Sequence, residues 1–459
     1  MAFLDLGLLV VAIALVWSAS GANRSLQASI GFAIFGYVST NYLIPRLAPS
    51  FTKIGLFGKD LSKPNKPIIP ETVGAVAATS YLFVMFFFIP FLFYKYLVTS
   101  TTGGGNREGG TNLGDDNTEL FPHDKLAGYL SAILCLESTV LLGVADDLFD
   151  IRWRHKFFLP AIAAIPLLIV YYVDFGITHV LVPTQFLQDY FQTTLIELGG
   201  FYYVYMAAVA IFCPNSINIL AGVNGLEVGQ SVVLAIILLI NDGCYLISGQ
   251  VPARESHLFS ACLLFPFLGV SLALLKYNWW PSQVFVGDTY CYFAGMVFAV
   301  VGILGHFSKT LLLFFIPQIF NFMYSVPQLF GIIPCPRHRM PRFNLEDGFM
   351  YPSHAKFEKP LPTVIEKVLY LLNNLKLLKI VEGEIEVEKN GKTIKKKAIT
   401  ESNNFTLINL VLVWFGPLRE DKLCLTLLII QFSIGMLAIV GRHTIGPWLF
   451  GYDNLWVVQ

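Results

Sequence analysis

The chain has 459 residues, of which 55% are hydrophobic and only 14% charged, with 31 basic against 31 acidic groups and a mean hydropathy of +0.62. So apolar a composition excludes a soluble globule of this length and a nucleic-acid binder, and it describes an all-α polytopic membrane protein. The seven cysteines lie mostly within apolar segments and form no C-x-x-C pair, which leaves them as small packing residues rather than a disulfide framework or a zinc site.

Leu4 to Ser18 is apolar but only about 22 Å long as a helix, short for a membrane span. The Ser18-Ala19-Ser20-Gly21-Ala22 stretch after it resembles a signal-peptidase site, and either a short span or a cleaved signal puts Asn23 in the lumen. Ten spans are expected after it, at about 26–44, 75–98, 126–145, 157–173, 202–221, 231–248, 258–275, 290–304, 309–333 and 422–440. Alternating topology then turns five connections, roughly 46–74, 146–156, 216–230, 276–289 and 334–421, towards the cytosol. Four of the five are basic, with Arg46, Lys53, Lys59, Lys63, Lys66, Arg152, Arg154 and Lys156 among their residues, which supports that orientation.

The stretch from Ser100 to Asp124, with its three consecutive glycines, reads as a lumenal connector without chemistry. Beyond Ile333 a small cytosolic α+β insert is expected. Thr363-Val364-Ile365-Glu366 reads as a capping box opening a helix, and Glu384–Glu388 and Thr393–Lys395 flank the turn pair Asn390-Gly391 of a hairpin. The chain therefore divides into an N-terminal apolar segment (1–25), a transmembrane bundle (26–333), the insert (334–421), and a last helix with its tail (422–459).

The polar clusters all fall on the predicted cytosolic face. Gly143–Lys156 places Asp146, Asp147 and Asp150 ahead of Arg152, Arg154, His155 and Lys156. On a helix, Asp146 and Asp150 share a face while Asp147 lies about 100° round. Adjacent acids repel unless a cation sits between them, although a solvated helix cap would account for them as well. Asn215, Asn218 and Asn224 follow one another around glycines at membrane depth, as metal or base ligands or as interhelical amide glue. Phe285-Val286-Gly287-Asp288 offers an aromatic and an acid at a helix start, where an N-cap is the simpler role for Asp288. Pro336-Arg337-His338-Arg339 is a stiffened basic strip suited to phosphate or to the membrane surface. Lys59-Asp60-Leu61 and Glu71 form a weaker cluster. Oxygens, amides, a ring and arginines together suit a diphosphate substrate bound with Mg2+ or Mn2+.

Ala145-Asp146-Asp147, Asn218 to Glu227, Phe285 to Thr289 and Pro336 to Arg339 resemble the motifs of the polyprenyl-phosphate N-acetylhexosamine-1-phosphate transferases, over nearly the whole chain from about Leu26. The resemblance implies ten spans in the endoplasmic reticulum membrane, a cytosol-facing active site and a homodimer, with association to other early dolichol-pathway glycosyltransferases. It also implies transfer of GlcNAc-1-phosphate from UDP-GlcNAc to dolichyl phosphate with release of UMP. Carried over, Asn218 and Asp288 would hold Mg2+, Lys156 would meet the acceptor phosphate, and Phe285 and Asn224 would hold uracil. Arg337, His338 and Arg339 would hold diphosphate and sugar, while Glu71 and Lys59 to Leu61 close the nucleotide pocket. Asn215 stands among the substrate contacts. Of the two acids, Asp147 is expected nearest the acceptor and Asp146 in support of the metal. Asp150 departs from the asparagine common at its position. The competing class is a transporter, which would need polar residues near the bilayer midplane open to both sides. Asn404-Phe405-Thr406 is a glycosylation sequon that the expected topology keeps unmodified in the cytosol.

Overall fold

The computed structural model describes residues 3–19, 24–94, 122–182, 184, 188–190, 192–249, 251–336, 339–357, 361–389 and 392–450. The expected lumenal connector, apart from its last three residues, and the Asn390-Gly391 turn lie outside them. Seven helices are long and apolar enough to cross a membrane: Gly74–Leu92, His123–Phe149, Gly200–Ile219, Leu226–Ser248, Val251–Asn278, Gly287–Leu304 and the last, which begins at Glu420. Ser308–Phe314 and Ile316–Leu329 make an eighth if counted as one broken span, since they meet at a 71° bend. Pro317 explains that break, because a proline tolerates the first turn of a helix and not its interior. The protein is thus a largely helical, multi-pass membrane protein.

Two of the ten expected segments take a different form. Residues 26–44 fall within the longer helix Arg24–Lys53, whose buried Ser29, Thr40 and Asn41 and whose Pro45 and Pro49 make it less apolar than the seven. Residues 157–173 fold as two short helices, Leu159–Ala163 and Ile165–Asp174, each with a proline at its first turn.

Gly287–Leu304 is the hub, with 89% of its apolar stretch buried inside the protein. Glycine lets its neighbours come close. A Cβ on Gly295 would stand 2.3 Å from Pro214 Cα, and one on Gly143 would stand 2.5 Å from Thr289 Cα. Those two contacts draw the helices ending near Asn218 and Asp147 onto the one that begins near Asp288. Amides join the helices at depth: Gln318 donates to Gln230 at 3.0 Å and to Gln431 at 2.8 Å, and Gln431 donates to the Phe314 carbonyl. The N-terminal helix Phe3–Ser18 packs into the bundle on Arg24–Lys53. Asn41 donates to Asp5 at 3.2 Å and accepts from Lys276 at 2.9 Å.

Past Ile333, strands Ile380–Lys389 and Lys392–Asn403 pair antiparallel, and His354–Lys356 adds a third strand beside the second. Helix Thr363–Asn374 packs its buried Leu369 over Leu378, Ile399 and Phe405. The expected capping box does not form. Pro362 is the N-cap, and no side chain caps the helix. Thr363 therefore lies within the first turn, where its hydroxyl cannot reach the N3 amide.

Candidate active site

Asp146 and Asp147 end the helix His123–Phe149, which stops at Asp150 in a left-handed conformation (φ 48°, ψ 62°). Asp and Asn both tolerate that backbone, so Asp150 meets the same local need that an asparagine would. The turn brings Lys156 back over the helix end. Its Nζ lies 3.0 Å from Asp146 Oδ2 and 2.7 Å from Asp288 Oδ2. Asn218 donates to the other Asp288 oxygen at 2.7 Å. Asp146 is further fixed by the Ile151 N–H at 3.0 Å and the Tyr292 hydroxyl at 3.3 Å. Burial works against the Lys156 charge, yet the Asp288 and Asp146 carboxylates outweigh it and hold its pKa above the ordinary value.

The neighbouring acid has another task. Asp147 accepts the Asp288 N–H at 2.8 Å, the Thr289 N–H at 3.3 Å and the Thr289 hydroxyl at 2.6 Å. It caps the hub helix from a different helix. Asp288 does not cap its own helix, because its carboxylate faces Lys156 and Asn218. Asp146, and not Asp147, stands beside the lysine expected to meet the acceptor. Gly287 makes the arrangement possible at φ +73°, since a Cβ there would meet Asp147 Oδ2 at 2.4 Å and Thr72 Cα at 2.9 Å.

Thr72 itself sits at φ +64°, unusual for a β-branched residue and a mark of local strain. The backbone on either side of it is tied to the loop before the hub helix. Phe285 N–H donates to the Pro70 carbonyl at 2.8 Å, and Val73 N–H donates to the Phe285 carbonyl at 3.1 Å. Glu71 is thereby held near Asp147 and Asp288. Burial first, and then the charges of Asp147 and Asp288, push its carboxyl above the ordinary value. Phe285 lies against Gly58, where a Cβ would come within 2.9 Å of the ring. Gly58 belongs to the short hairpin of Phe57–Lys59 and Ile68–Pro70.

After that hairpin's first strand, Asp60 turns inward and is 3% exposed, while Leu61 is 58% exposed; Lys59 points outward as well. Asp60 Oδ2 accepts from Asn224 Nδ2 at 2.9 Å. Glu420, the first residue of the last helix, accepts the Asn224 N–H at 2.9 Å and the Lys63 ammonium at 2.6 Å. Burial alone would raise the Asp60 pKa, but bonds from Ser62 and Asn224 and the charge of Lys63 hold it below the ordinary value.

Asn215 is drawn away from the site. Its amide donates to the Ile211 carbonyl at 2.8 Å and the Phe157 carbonyl at 3.2 Å, so it is glue that steadies the loop carrying Lys156. Arg337 and His338 lie outside the described residues. Arg339 is half-buried with a buried Nη1 that has no hydrogen-bond partner among the described residues. Its carbonyl is pinned by Ser353 and Asn409, and next to it Met340 rests on Gly222 in the asparagine loop. Met340, next to Arg339, therefore lies over the loop that leads from Asn218 to Asn224.

The residues missed at the sequence level are Lys63, Thr289, Tyr292 and Glu420. Glu420 follows Gly416-Pro417 at the start of an apolar run, where acids ordinarily complement the helix dipole, so nothing local marked it.

Residues 129–306 match the model for glycosyl transferase family 4. The chain is 62% identical over 447 residues to the UDP-N-acetylglucosamine--dolichyl-phosphate N-acetylglucosaminephosphotransferase of Saccharomyces cerevisiae, covering 96% of this chain and 97% of that protein. It is 51% identical to the Schizosaccharomyces pombe protein of the same name, covering 94% of each, and 41% identical to that of Dictyostelium discoideum, covering 91% of this chain and 90% of the relative. Identity of this depth across almost every residue of both proteins leaves no room for a shared fold alone: the chain belongs to glycosyl transferase family 4, with the UDP-N-acetylglucosamine--dolichyl-phosphate N-acetylglucosaminephosphotransferases.

Proposed function

We propose that the protein transfers GlcNAc-1-phosphate from UDP-GlcNAc to dolichyl phosphate, giving GlcNAc-diphosphate-dolichol and UMP, on the cytosolic face of the endoplasmic reticulum membrane. The observation that carries the reading is Lys156 lodged between Asp146 and Asp288 beside Asn218, at one end of membrane helices. The Arg339 Nη1, which has no hydrogen-bond partner among the described residues, adds to it, because a phosphate oxygen is an acceptor that would suit such a group. Homodimerisation and contacts with other early dolichol-pathway glycosyltransferases belong to the same proposal and rest on family resemblance.

Mg2+, or Mn2+, suits the donors. Among the described residues no three His, Cys, Asp or Glu side chains gather as a metal cluster, but Asp288, Asp146 and the Asn218 amide are hard oxygen donors. Burial and the charges of Asp147 and Asp288 push the Glu71 carboxyl above the ordinary value, a cost that a cation nearby would relieve. Asp288 and Asn218 would hold the cation, which when bound would screen the charge of the diphosphate.

The protein's own groups supply the rest. Lys156 receives the acceptor phosphate as a point charge, and Asp146 holds that ammonium in place. A phosphate monoester has its second pKa near 6, so at neutral pH the acceptor is largely a dianion and needs no base. Its oxygen bonds to the β-phosphorus of UDP-GlcNAc as the bond to the bridging oxygen breaks, and UMP leaves with that electron pair. Asp147 acts through structure, holding Asp288 and Thr289.

The test is UMP release by purified protein from UDP-GlcNAc, Mg2+ and a polyprenyl phosphate; no release would end the reading. Labelled UMP should not exchange into UDP-GlcNAc without acceptor, and robust exchange would establish a covalent intermediate instead. A transporter is not favoured. The polar cluster deep in the bundle, Asp242 with His257 at 2.6 Å and Ser260 at 2.6 Å, is internally bonded and sealed.

A further inference from the structure

The last membrane helix begins at a carboxylate with no evident reason to be buried. Glu420 is 3% exposed, and its two oxygens serve two different chain segments. Oε1 accepts the backbone N–H of Asn224 at 2.9 Å. Oε2 lies 2.6 Å from Lys63 Nζ and 2.9 Å from Ser62 Oγ. Those two residues in turn hold Asp60, Ser62 through its hydroxyl at 2.5 Å and its N–H at 3.0 Å, and Lys63 at 3.3 Å. Asp60 closes the circuit by accepting from the Asn224 side chain at 2.9 Å. Glu420, Lys63, Asp60 and Asn224 thus form a ring that joins the hairpin loop, the asparagine loop and the last helix.

The ring settles a question of polarity. An amide has a donating and an accepting end, and in isolation either can face a ligand. Asp60 is ionised, because Ser62, Asn224 and Lys63 all stabilise its charge, and a carboxylate only accepts. Asn224 must therefore turn its NH2 to Asp60. One N–H and the Oδ1 are left for a ligand, in fixed order. That pair matches a base edge with a ring N–H beside a carbonyl, as in uracil, and mismatches cytosine, whose ring nitrogen accepts and whose amine donates.

We propose that Glu420 is a positioning residue for the nucleotide: through Asn224, Ser62 and Lys63 it locks the Asn224 amide in the orientation that selects a uracil over a cytosine base. The inference rests on the reading of Asn224 as a base contact. It adds the device that makes that contact selective, and assigns a role to a residue 196 positions away in the chain.

The experiment uses the purified full-length protein, with steady-state kinetics on UDP-GlcNAc and a polyprenyl phosphate, and with UMP and CMP as competing probes. For Glu420→Gln the KM for UDP-GlcNAc should rise about tenfold, with kcat within about twofold and the acceptor KM unchanged. The preference for UMP over CMP should narrow in the same variant, which general destabilisation would not produce. Ser62→Ala approaches the ring from the hairpin, leaves the helix intact and should show the same changes more weakly, so it serves if Glu420→Gln does not fold. Wild-type nucleotide KM and base preference in whichever variants fold would overturn the proposal, and so would a fall in kcat alone. Asn224→Ala separates the two levels. If it too keeps the wild-type nucleotide KM, the base-contact reading itself is wrong. If it raises that KM while the ring variants do not, only the role of Glu420 is lost.

Discussion

Asp146 and Asp147 are neighbours in sequence, and the helix sends them about 100° apart, one to Lys156 and one to the start of the hub helix. Their substitutions should separate accordingly. Asp146→Asn keeps an acceptor for Ile151 but removes the charge that holds Lys156, so the acceptor KM should rise while the melting temperature barely moves. Asp147→Ala leaves two N–H groups and a hydroxyl without their acceptor and should cost about 1–3 kcal/mol of stability. Steady-state kinetics and thermal melts check both, and a wild-type melt for Asp147→Ala would contradict its capping role. Glu71 makes a pH-dependent case. Its folded pKa lies above the unfolded value, so its contribution to stability is complete below the ordinary carboxylate range and is lost as pH rises through the folded value. At neutral pH it is a net strain. Glu71→Gln should therefore melt higher than wild type in EDTA at pH 7 and gain less from added Mg2+; an equal gain would show that Glu71 does not feel the cation. Lys156 has the opposite practical outcome: its raised pKa keeps the ion pairs intact until pH passes that value, far into the alkaline range.

At the scale of elements, the site depends on close approach between helix ends more than on any one side chain. Gly287→Ala adds a Cβ that meets Asp147 and Thr72, at a φ that an alanine disfavours. It should destabilise by about 1–3 kcal/mol and lower kcat far more than KM, because Asp288 is displaced together with its amide. Wild-type activity in that variant would mean that the helix start tolerates a shift. The helices themselves were legible from apolar length, and so was the pairing of the strands around Asn390-Gly391, since period and turn chemistry are local. The two short helices at Leu159–Ala163 and Ile165–Asp174 were not, because their summed apolar length matched one span while their prolines set the breaks.

For the whole molecule, the sequon at Asn404 is informative. Its side chain is fully buried, donates to Ser353 at 2.8 Å and accepts from Gln328 at 2.9 Å. No glycan fits there once the chain has folded, whichever side of the membrane it faces. Asn404→Gln should show no loss of a glycosidase-sensitive mass and a lower melting temperature; a mass shift would require the segment to be open during insertion. Burial thus supplies a reason to expect no modification that is independent of the charge asymmetry used to orient the chain.

Membrane class, the order of the polar motifs, and the expectation that Asn218, Asp288, Lys156, Asn224 and Phe285 carry the chemistry came from the sequence alone, because hydropathy, residue type and spacing are written locally. The tertiary structure decided how those residues divide their roles. Asn215 became interhelical glue, Asp147 became a cap for a helix 141 residues away, and Glu420 joined the ring around Asn224 from the far end of the chain. Each of these depends on which carbonyl, N–H or ammonium arrives within about 3 Å, and that is set by glycine contacts and helix crossings between segments that no local pattern relates.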